Sequence, residues 1–441
     1  MRNSGTVCGA AGEAGAPATR TQSGQMSQTA GNAAPEMQPH SMRAISPDYP
    51  RPKIPTAPVL SVATFLRDKH RPAPSILNHA GTRFVTSGRM AIGLALQQMK
   101  IGPGDKVLLP AYNCSSMVEP VISIGATPVF YKIRPDTSVD LDDIQAHLDG
   151  NAKALLVTHY FGFPQALSAV RMLCDQRGVM LVEDCAHSFF GGSDTSPVGA
   201  YGDYAIASSM KFFPIFDGGC LVSTRHDIGK IPLRSAGFGF EAKAVLNTLE
   251  KGFEYGRLKA VELLLYLPMA LKNLAWRKIK NTAPTKYKAF GPGASDGGFS
   301  FEPSWLDKKS SLCSRVLIAL ASKSRIAAKR RANYMRLQEA LADLPDCRPL
   351  FAQLPEEVVP YVFPLVARDP ARVFPLLKNA GVPVIRFGEF LWDGVDETLC
   401  PVSVDLSRRV MQFPCHQELK PAELDWMIGQ IRHIFLMKGV A

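Results

Sequence analysis

Residues Tyr204–Ser223, YAIASSMKFFPIFDGGCLVS, decide the fold of this chain. The apolar runs Tyr204–Ser208 and Gly219–Ser223 predict two buried strands, and the loop between them carries Lys211. Apolar neighbours desolvate an ammonium and lower its pKa, because the charged form loses more hydration than the neutral form. A neutral amine can attack a carbonyl carbon, so Lys211 is a candidate for a covalent bond to an aldehyde. Taken alone, a lysine of this kind is more often a surface loop residue. Other parts of the sequence must therefore distinguish a reactive lysine from an ordinary one.

The stretch Val179–Phe190, VMLVEDCAHSFF, supplies a matching carboxylate. Its apolar run predicts a buried strand that ends at Glu183 and Asp184. A carboxylate at the carboxyl end of such a strand points into the crevice where open α/β sheets bind ligands. Pyridoxal phosphate chemistry needs a lysine for the aldehyde and a carboxylate that keeps the pyridine nitrogen protonated. Asp184 and Lys211 follow neighbouring strands, so we expect both to reach one ring.

Short apolar strands alternate with helices through the first half of the chain, which predicts an α/β fold with a mostly parallel central sheet flanked by helices. The remaining predicted strands of this sheet are Lys106–Leu109, Thr127–Tyr131 and Ala154–Thr158, and its helices are Met117–Ile124, Leu141–Leu148 and Ala166–Arg177. Near the C-terminus we predict a long, interrupted helix at Ser310–Leu344, strands at Val358–Val366 and Pro383–Arg386, and helices at Pro370–Ala380 and Pro421–Phe435.

Four motifs in this order resemble the DegT/StrS-type family of fold-type-I, pyridoxal-phosphate-dependent sugar aminotransferases. They are Ser87-Gly88-Arg89-Met90, the His159 to Pro164 motif, Asp184-Cys185-Ala186-His187, and Lys211 followed by Asp217-Gly218-Gly219. The resemblance covers roughly Pro72–Thr224 and, more loosely, Lys329–Ile434. It implies a fold-type-I transferase with a smaller C-terminal α+β domain, pyridoxal 5′-phosphate as cofactor, and a homodimer.

The resemblance assigns the catalytic role to Lys211, which would bind the cofactor and then transfer a proton as base and acid. It assigns Asp184 to the ring nitrogen and His187 to the phenolic oxygen. The family has a phosphate-binding serine five residues before its lysine. This chain has Ile206 there, so we assign the phosphate to Ser208.

The start of the predicted helix after Ser87 presents free backbone amides, which suit a phosphate group. An ordinary N-cap is the alternative. By resemblance the residues at this helix start that contact the cofactor are Gly88, Arg89 and Met90. The family has threonine where this chain has Arg89, whose cation can still approach a phosphate. The family also stacks an aromatic residue on the ring at the position of Cys114, so we assign stacking to Tyr112.

Two residues are candidate substrate contacts. His159 follows a strand and by resemblance lies beside the cofactor, although a lone histidine is also a common hydrogen-bonded core residue. Arg386 stands where the family has a histidine, at a strand end. A guanidinium there would bind the carboxylate of a glutamate donor through two hydrogen bonds, and a surface arginine is the alternative. The Asn-x-Arg motif of the family is not found.

Composition narrows the class of protein. At 441 residues the chain has the length for two domains. The net charge of +11 is dispersed, and we interpret the basic patches Arg277–Lys288 and Lys323–Arg331 as solvated helix faces. This pattern predicts no nucleic-acid partner but is compatible with a nucleotide-sugar. Nine cysteines without a C-x-x-C pair argue against a disulfide framework or a metal site and favour the cytoplasm.

We predict four segments along the chain. Residues 1–58 lack a periodic apolar pattern and are expected to be a disordered tail without a secretory signal. A large cofactor-binding α/β domain follows at 59–240, a helical and Gly-rich insertion at 241–309, and a long helix with a small α+β domain at 310–441. The apolar segment 241–280 is too charged and too often interrupted by proline to span a bilayer. We expect it to pack on the body or across a dimer, with an interfacial helix as the alternative.

The sequence therefore predicts an aminotransferase that moves an amino group from glutamate to a keto-sugar, nucleotide-linked, in surface polysaccharide or amino-sugar biosynthesis. The alternative is a protein of this fold that binds a cofactor or ligand without turnover, supported by the departures at Arg89, Cys114 and Ile206. Retention of both Lys211 and Asp184 favours the enzyme, since a scaffold has no use for that pair.

Overall fold

The structure, a computed structural model, describes residues 49–66, 69, 71–265 and 301–437. Most of the predicted tail, the basic patch Arg277–Lys288 and nearly all of the Gly-rich part of the insertion lie outside these residues. Residues 49–58 belong to the packed body: Ile54 is buried, and Lys53 N donates to the carbonyl of Gly381 at 2.9 Å. The folded part therefore begins earlier than the predicted boundary at residue 58.

The larger sheet has seven strands. They are β1 (Arg83–Val85), β2 (Lys106–Pro110), β3 (Thr127–Tyr131), β4 (Ala152–Thr158), β5 (Met180–Asp184), β6 (Tyr204–Ala207) and β7 (Gly219–Val222). Their order is β1-β7-β6-β5-β4-β2-β3, and β3, β2, β4, β5 and β6 run parallel, whereas β7 is antiparallel to both of its neighbours. The predicted, mostly parallel sheet is confirmed. The short strand β1 was not predicted.

Four helices flank this sheet, and all four were predicted from their periodicity, with bounds that agree with the structure within two residues. The helices are α1 (Gly88–Gln98), α2 (Ser115–Ser123), α3 (Leu141–His147) and α4 (Ser168–Arg177). Local sequence explains their ends. The side chain of Asp140 caps α3 by accepting from Asp143 N, and Gly178 ends α4 with a φ of 65°, which a glycine adopts without strain.

The smaller, C-terminal sheet is antiparallel throughout, in the order β10-β11-β9-β8. Its strands are β8 (Cys347–Pro349), β9 (Val362–Ala367), β10 (Ile385–Arg386) and β11 (Val410–Pro414), and its helices are α8 (Pro370–Asn379), α9 (Pro401–Arg409) and α10 (Pro421–Leu436). The predicted α+β domain is confirmed, but β8, β11 and α9 were not predicted.

Between the two sheets in sequence, the described residues include the helices α5 (Phe238–Glu254), α6 (Leu312–Leu320) and α7 (Lys323–Leu341). The predicted helix Ser310–Leu344 is interrupted where expected, because Ser322 leaves the helix and caps α7 by accepting from Arg325 N at 3.3 Å. Within the described part of the chain, no helix combines the length and the apolar character needed to cross a bilayer.

Candidate active site

A short loop after β6 sets the position of Lys211. Residues Ser209–Lys211 form one 3₁₀ turn, and Ser209 N donates to the carbonyl of Gly218 at 3.0 Å. Gly218 has a φ of 149°, and a Cβ at Gly219 would lie 2.3 Å from the carbonyl of Ser87. Only glycine allows this approach. The Gly-Gly pair therefore ties the Lys211 loop to the segment just before α1.

Lys211 is partly buried. Burial lowers its pKa from the ordinary value, and the nearby Cys114 and Asp184 offset only part of that effect. Its Nζ lies 5.5 Å from the centroid of the Tyr361 ring. The amine is therefore more readily neutral than an exposed lysine, as the sequence predicts.

Asp184 ends β5 directly beside β6, where it pairs with Ile206. Its side chain is buried, and Oδ1 accepts from Ala186 N at 2.9 Å. The structure describes no hydrogen bond to Oδ2. Burial raises the pKa of this carboxyl, although Lys211 and His159 oppose the shift. Such a carboxylate is stabilised by a cationic N–H donor, which is the group expected of a protonated ring nitrogen.

His187 lies between two aromatic rings. Its imidazole stacks on Tyr361 at 4.8 Å and on Phe161 at 5.9 Å between ring centroids. Phe161 N donates to Nδ1 at 3.4 Å, so the neutral ring carries its hydrogen on Nε2. Burial and the nearby Lys211 lower the pKa of His187 well below its usual value. His187 is thus a neutral donor, which suits a phenolic oxygen.

The start of α1 meets the end of β6. A Cβ on Gly88 would lie 3.4 Å from the Cβ of Ser208, so the two residues are in contact and form one polar corner. The amide of Met90, however, donates to Ser87 Oγ at 3.3 Å. The N-cap alternative is therefore present at Met90, and its contact with a cofactor stays a prediction. Gly88 and Ser208 remain the predicted phosphate contacts.

The predicted approach of Arg89 to a phosphate is also wrong for its side chain. The guanidinium donates to Ser116 Oγ at 2.7 Å and pairs with Glu119 at 3.1 Å. Both partners lie on α2, and a carboxylate forms a strong, charge-assisted hydrogen bond with a guanidinium. Arg89 therefore joins α1 to α2.

Tyr112 lies in an aromatic cluster. Its ring is fully buried, stacks on Tyr160 at 5.2 Å and meets the edge of Phe387 at 4.9 Å between centroids. Its hydroxyl has no hydrogen-bond partner among the residues that the structure describes. Because protein covers the ring, the geometry does not support the predicted stacking of Tyr112 on a cofactor.

His159 is a core residue rather than a substrate contact. Its Nδ1 accepts from Gln165 N at 2.9 Å, so Nε2 carries the hydrogen and donates to Glu183 at 3.0 Å. Both nitrogens are thus occupied, which contradicts the predicted substrate role. Potential ligand atoms of His159, Glu183 and Cys185 lie within 4.8 Å of one another. The hydrogen bonds of His159, together with backbone amides that donate to Glu183, already occupy two of these three residues.

Arg386 points away from the site. It pairs with Glu389, and its guanidinium carbon lies 4.4 Å above the ring of Phe374. The next residue, Phe387, faces the site instead, with its ring 5.0 Å from that of His187. Successive side chains of an extended chain alternate between faces, so both cannot face the site. The prediction that Arg386 binds the donor carboxylate is therefore wrong.

Comparison with known proteins agrees with this geometry. Residues 77–259, which include Asp184 and Lys211, match the DegT/DnrJ/EryC1/StrS aminotransferase family. The predicted resemblance to DegT/StrS-type sugar aminotransferases is thereby confirmed.

Curated relatives in the family match part of the chain. A dTDP-4-dehydro-2,3,6-trideoxy-D-glucose 4-aminotransferase of Saccharopolyspora spinosa is 33% identical over 161 residues, which are 36% of this chain and 42% of the relative. A GDP-perosamine synthase of Vibrio cholerae is 31% identical over 150 residues, which are 33% of this chain and 40% of the relative. The chain thus spans about two fifths of the length of these relatives.

Solved structures extend the likeness in fold. The aminotransferase TlmJ of Streptoalloteichus hindustanus has a TM-score of 0.55 at 20% identity, over 80% of this chain and 85% of its own. NtdA of Bacillus subtilis, solved with bound cofactor PMP, has a TM-score of 0.55 at 16% identity, over 81% of this chain and 74% of its own. These structures therefore support an aminotransferase fold over about four fifths of the chain.

Sequence reasoning missed how the family motif His159–Pro164 works. Phe161 has a φ of 58°, and its carbonyl accepts from Tyr361 N at 2.8 Å. A Cβ on Gly162 would lie 2.6 Å from Tyr361 N. The motif thus docks the segment before β9 against the site and brings the Tyr361 ring beside Lys211. Gly162 was the signal available in the sequence, because only glycine allows two main-chain segments to approach this closely.

We expect Arg386→Met to leave the response to the amino donor unchanged within about twofold, because the side chain points away from the site. Loss of the partly exposed pair with Glu389 should cost no more than about 1 kcal/mol. The apparent KM for glutamate and the unfolding temperature measure the two effects, with Arg372→Met on α8 as a matched surface control. A rise in KM of about tenfold or more would restore the carboxylate-binding role.

Proposed function

We propose that this protein is a pyridoxal 5′-phosphate-dependent aminotransferase that moves an amino group from glutamate to a nucleotide-linked keto-sugar, in amino-sugar or surface polysaccharide biosynthesis. One observation carries the proposal. The partly buried Lys211 and the buried carboxylate of Asp184 follow the carboxyl ends of the adjacent parallel strands β6 and β5. The names of the relatives, which specify sugars linked to dTDP and GDP, support the substrate class.

The residues present fit the cofactor. Lys211 Nζ would take the aldehyde, Asp184 the ring nitrogen and the Nε2–H of His187 the phenolic oxygen. Ser208 and the start of α1 at Gly88 would take the phosphate. The buried hydroxyl of Thr86, which directly precedes this corner, has no hydrogen-bond partner in the described part of the chain. A buried hydroxyl is costly to leave unpaired, and a bound phosphate would satisfy it.

Bound pyridoxal 5′-phosphate supplies an aldehyde and an electron-withdrawing ring. The protein supplies the proton chemistry. The lowered pKa of Lys211 leaves its amine free to bond a carbonyl and, when displaced, to hold and move a proton at Nζ. The carboxylate of Asp184 would accept a hydrogen bond from the protonated ring nitrogen and so favour its protonated form. The rings of Phe161, Tyr361 and Phe387 surround His187 and exclude water from this side of the site.

The test is incubation of the purified protein with glutamate and a panel of nucleotide-linked keto-sugars, with 2-oxoglutarate and amino-sugar as readouts. Formation of both products supports the proposal. The alternative, binding without turnover, is favoured by the buried Tyr112 and by Arg386, which points away. Cofactor binding without conversion by any donor or acceptor would select that alternative.

We also propose a cytoplasmic homodimer. Leu312, Val316 and Leu320 are 58%, 44% and 60% exposed and lie four residues apart on α6, so they form one apolar stripe. Leu312 N donates to Glu241 on α5, where Phe238 is also exposed. A second copy of this chain is the proposed partner of the stripe. The eight cysteines that the structure describes are all free, which supports a reducing compartment.

We expect Val316→Glu to convert the dimer to a monomer. A carboxylate buried at an apolar interface without a partner costs about 3 kcal/mol or more, which weakens association by about a hundredfold or more. Sedimentation velocity across a range of concentrations measures the change. Met172→Glu, on the exposed face of α4, is the control. A protein that is monomeric before the substitution, or dimeric after it, contradicts the proposal.

A further inference from the structure

Arg330 is a buried cation without an anionic partner. It lies on α7 inside the patch that we predicted to be solvated, yet its side chain is fully buried, and no described carboxylate pairs with it. Its Nη2 donates to the carbonyl of Lys211 at 2.8 Å. Its Nη1 donates to the carbonyls of Tyr361 at 2.8 Å and Pro360 at 3.2 Å. One guanidinium thus binds the main chain on both sides of the site.

A glutamine extends this contact. Arg330 Nε donates to Gln417 Oε1 at 3.1 Å, and Gln417 Nε2 donates to the carbonyl of Phe212 at 2.8 Å. The guanidinium carbon also lies 4.4 Å from the centroid of the Phe212 ring. Consecutive carbonyls, those of Lys211 and Phe212, are therefore held by side chains from α7 and from the segment after β11.

Such an arrangement is costly, which argues for a specific role. Burial lowers the pKa of Arg330 to about 10, because the charged form has lost its hydration. An apolar side chain would fill the same space without that cost. What the guanidinium adds is a rigid, planar set of donors that holds several carbonyls at fixed separations.

We propose that Arg330 is the positioning residue of the active site, and that its guanidinium holds the main chain of Lys211 at a fixed distance from that of Tyr361. The ring of Tyr361 lies 5.5 Å from Lys211 Nζ and 4.8 Å from the imidazole of His187. Fixing these two main-chain points therefore fixes the amine relative to both rings. Arg330 itself contacts neither cofactor nor substrate. The inference rests on the proposed role of Lys211.

Arg330→Lys tests the proposal, because it keeps the charge and loses the planar set of donors. In the full-length chain purified without added cofactor, pH-dependent acetylation followed by peptide mass spectrometry reports the titration of the Lys211 amine. We expect its apparent pKa to rise toward the ordinary value by about one unit, because the released loop admits water. With cofactor, kcat should fall about tenfold or more while the KM for the donor stays unchanged.

Arg331→Lys is the matched control. This neighbour on α7 also donates to two carbonyls, but those belong to Pro355 and Val358, away from Lys211. It should leave the Lys211 titration unchanged. Addition of methylguanidine to Arg330→Ala should restore the lower pKa in part, which a purely structural defect would not allow.

A folded Arg330→Lys protein in which Lys211 titrates as in the parent overturns the proposal. If that variant does not fold, Gln417→Met decides by the same titration. It removes the contact to Phe212, and an unchanged Lys211 pKa would again overturn the inference. Failure of the proposed function is distinct from either result. It would show as a parent protein in which Lys211 takes up no pyridoxal phosphate.

Discussion

Replacement of Lys211 by alanine should abolish the covalent attachment of pyridoxal phosphate and reduce amino transfer by at least about a thousandfold. The side chain is expected to serve twice, as the attachment point and as the proton carrier, and loss of a positioned acid–base group alone commonly costs 10²–10⁴-fold. The lowered pKa of its amine, caused by burial, is what suits it to both tasks near neutral pH. Absorbance in the visible range and product formation measure the two losses.

Borohydride reduction makes the assignment specific, because it converts the lysine–cofactor linkage to a stable amine. Peptide mapping of the reduced parent protein should place the pyridoxyl group on Lys211. Lys243 is the matched control. Burial lowers its pKa as well, and its Nζ lies 5.4 Å from the ring of Phe216, in the loop that also carries Lys211. A label on Lys243, or a visible band that survives in Lys211→Ala, would refute the assignment.

The parts of the site that sequence predicted well are those fixed by short-range pattern. Strands buried on both faces read as continuous apolar runs, so the ends of β5 and β6 could be placed within two residues. The residues just after these ends, Asp184 and Lys211, then had to lie at one edge of the sheet. Order along the chain and the parallel topology were sufficient for that conclusion.

The predictions that failed concern side chains that bind partners on other helices and strands. Arg89 could approach a phosphate by its place in the chain, but Ser116 and Glu119 on α2 hold it. His159 could face a ligand, but Glu183 occupies its Nε2. None of these three partners is close in sequence to the residue it binds. Propensity and spacing contain no information on such contacts, which are set when helices and strands pack.

Strand register accounts for the error at Arg386. Because side chains alternate, a shift of one residue exchanges the face toward the site with the face away from it. The sequence predicts a strand start at Pro383, whereas β10 is only Ile385–Arg386, and Phe387 faces His187. The interpretation of Arg330 as a solvated residue was wrong for a different reason. A cation in a basic run on a helix is usually solvated, and only the packed structure shows that carbonyls surround this one.

Substitution of Asp184 by asparagine separates holding the cofactor from using it. Asparagine has nearly the same shape and can still accept from Ala186 N, so the fold and the attachment of cofactor to Lys211 should survive. An amide cannot keep a ring nitrogen protonated. Loss of one preorganised electrostatic contact costs about 10²–10³-fold in rate, or roughly 3–4 kcal/mol. Single-turnover conversion of the cofactor by glutamate measures this step directly.

The environment of Asp184 suggests a rescue experiment for the Asp184→Asn variant. Burial raises the pKa of Asp184, and a cationic N–H nearby would favour the carboxylate form. A cofactor analogue with a methylated, permanently cationic ring nitrogen should therefore restore part of the rate in Asp184→Asn. Asp203→Asn is the control, because Asp203 lies at the amino end of β6, where it binds Arg171 and Leu181 N. If Asp184→Asn transfers amino groups at the parental rate, Asp184 has only a structural role, and the proposed chemistry loses the group that makes the ring an electron acceptor.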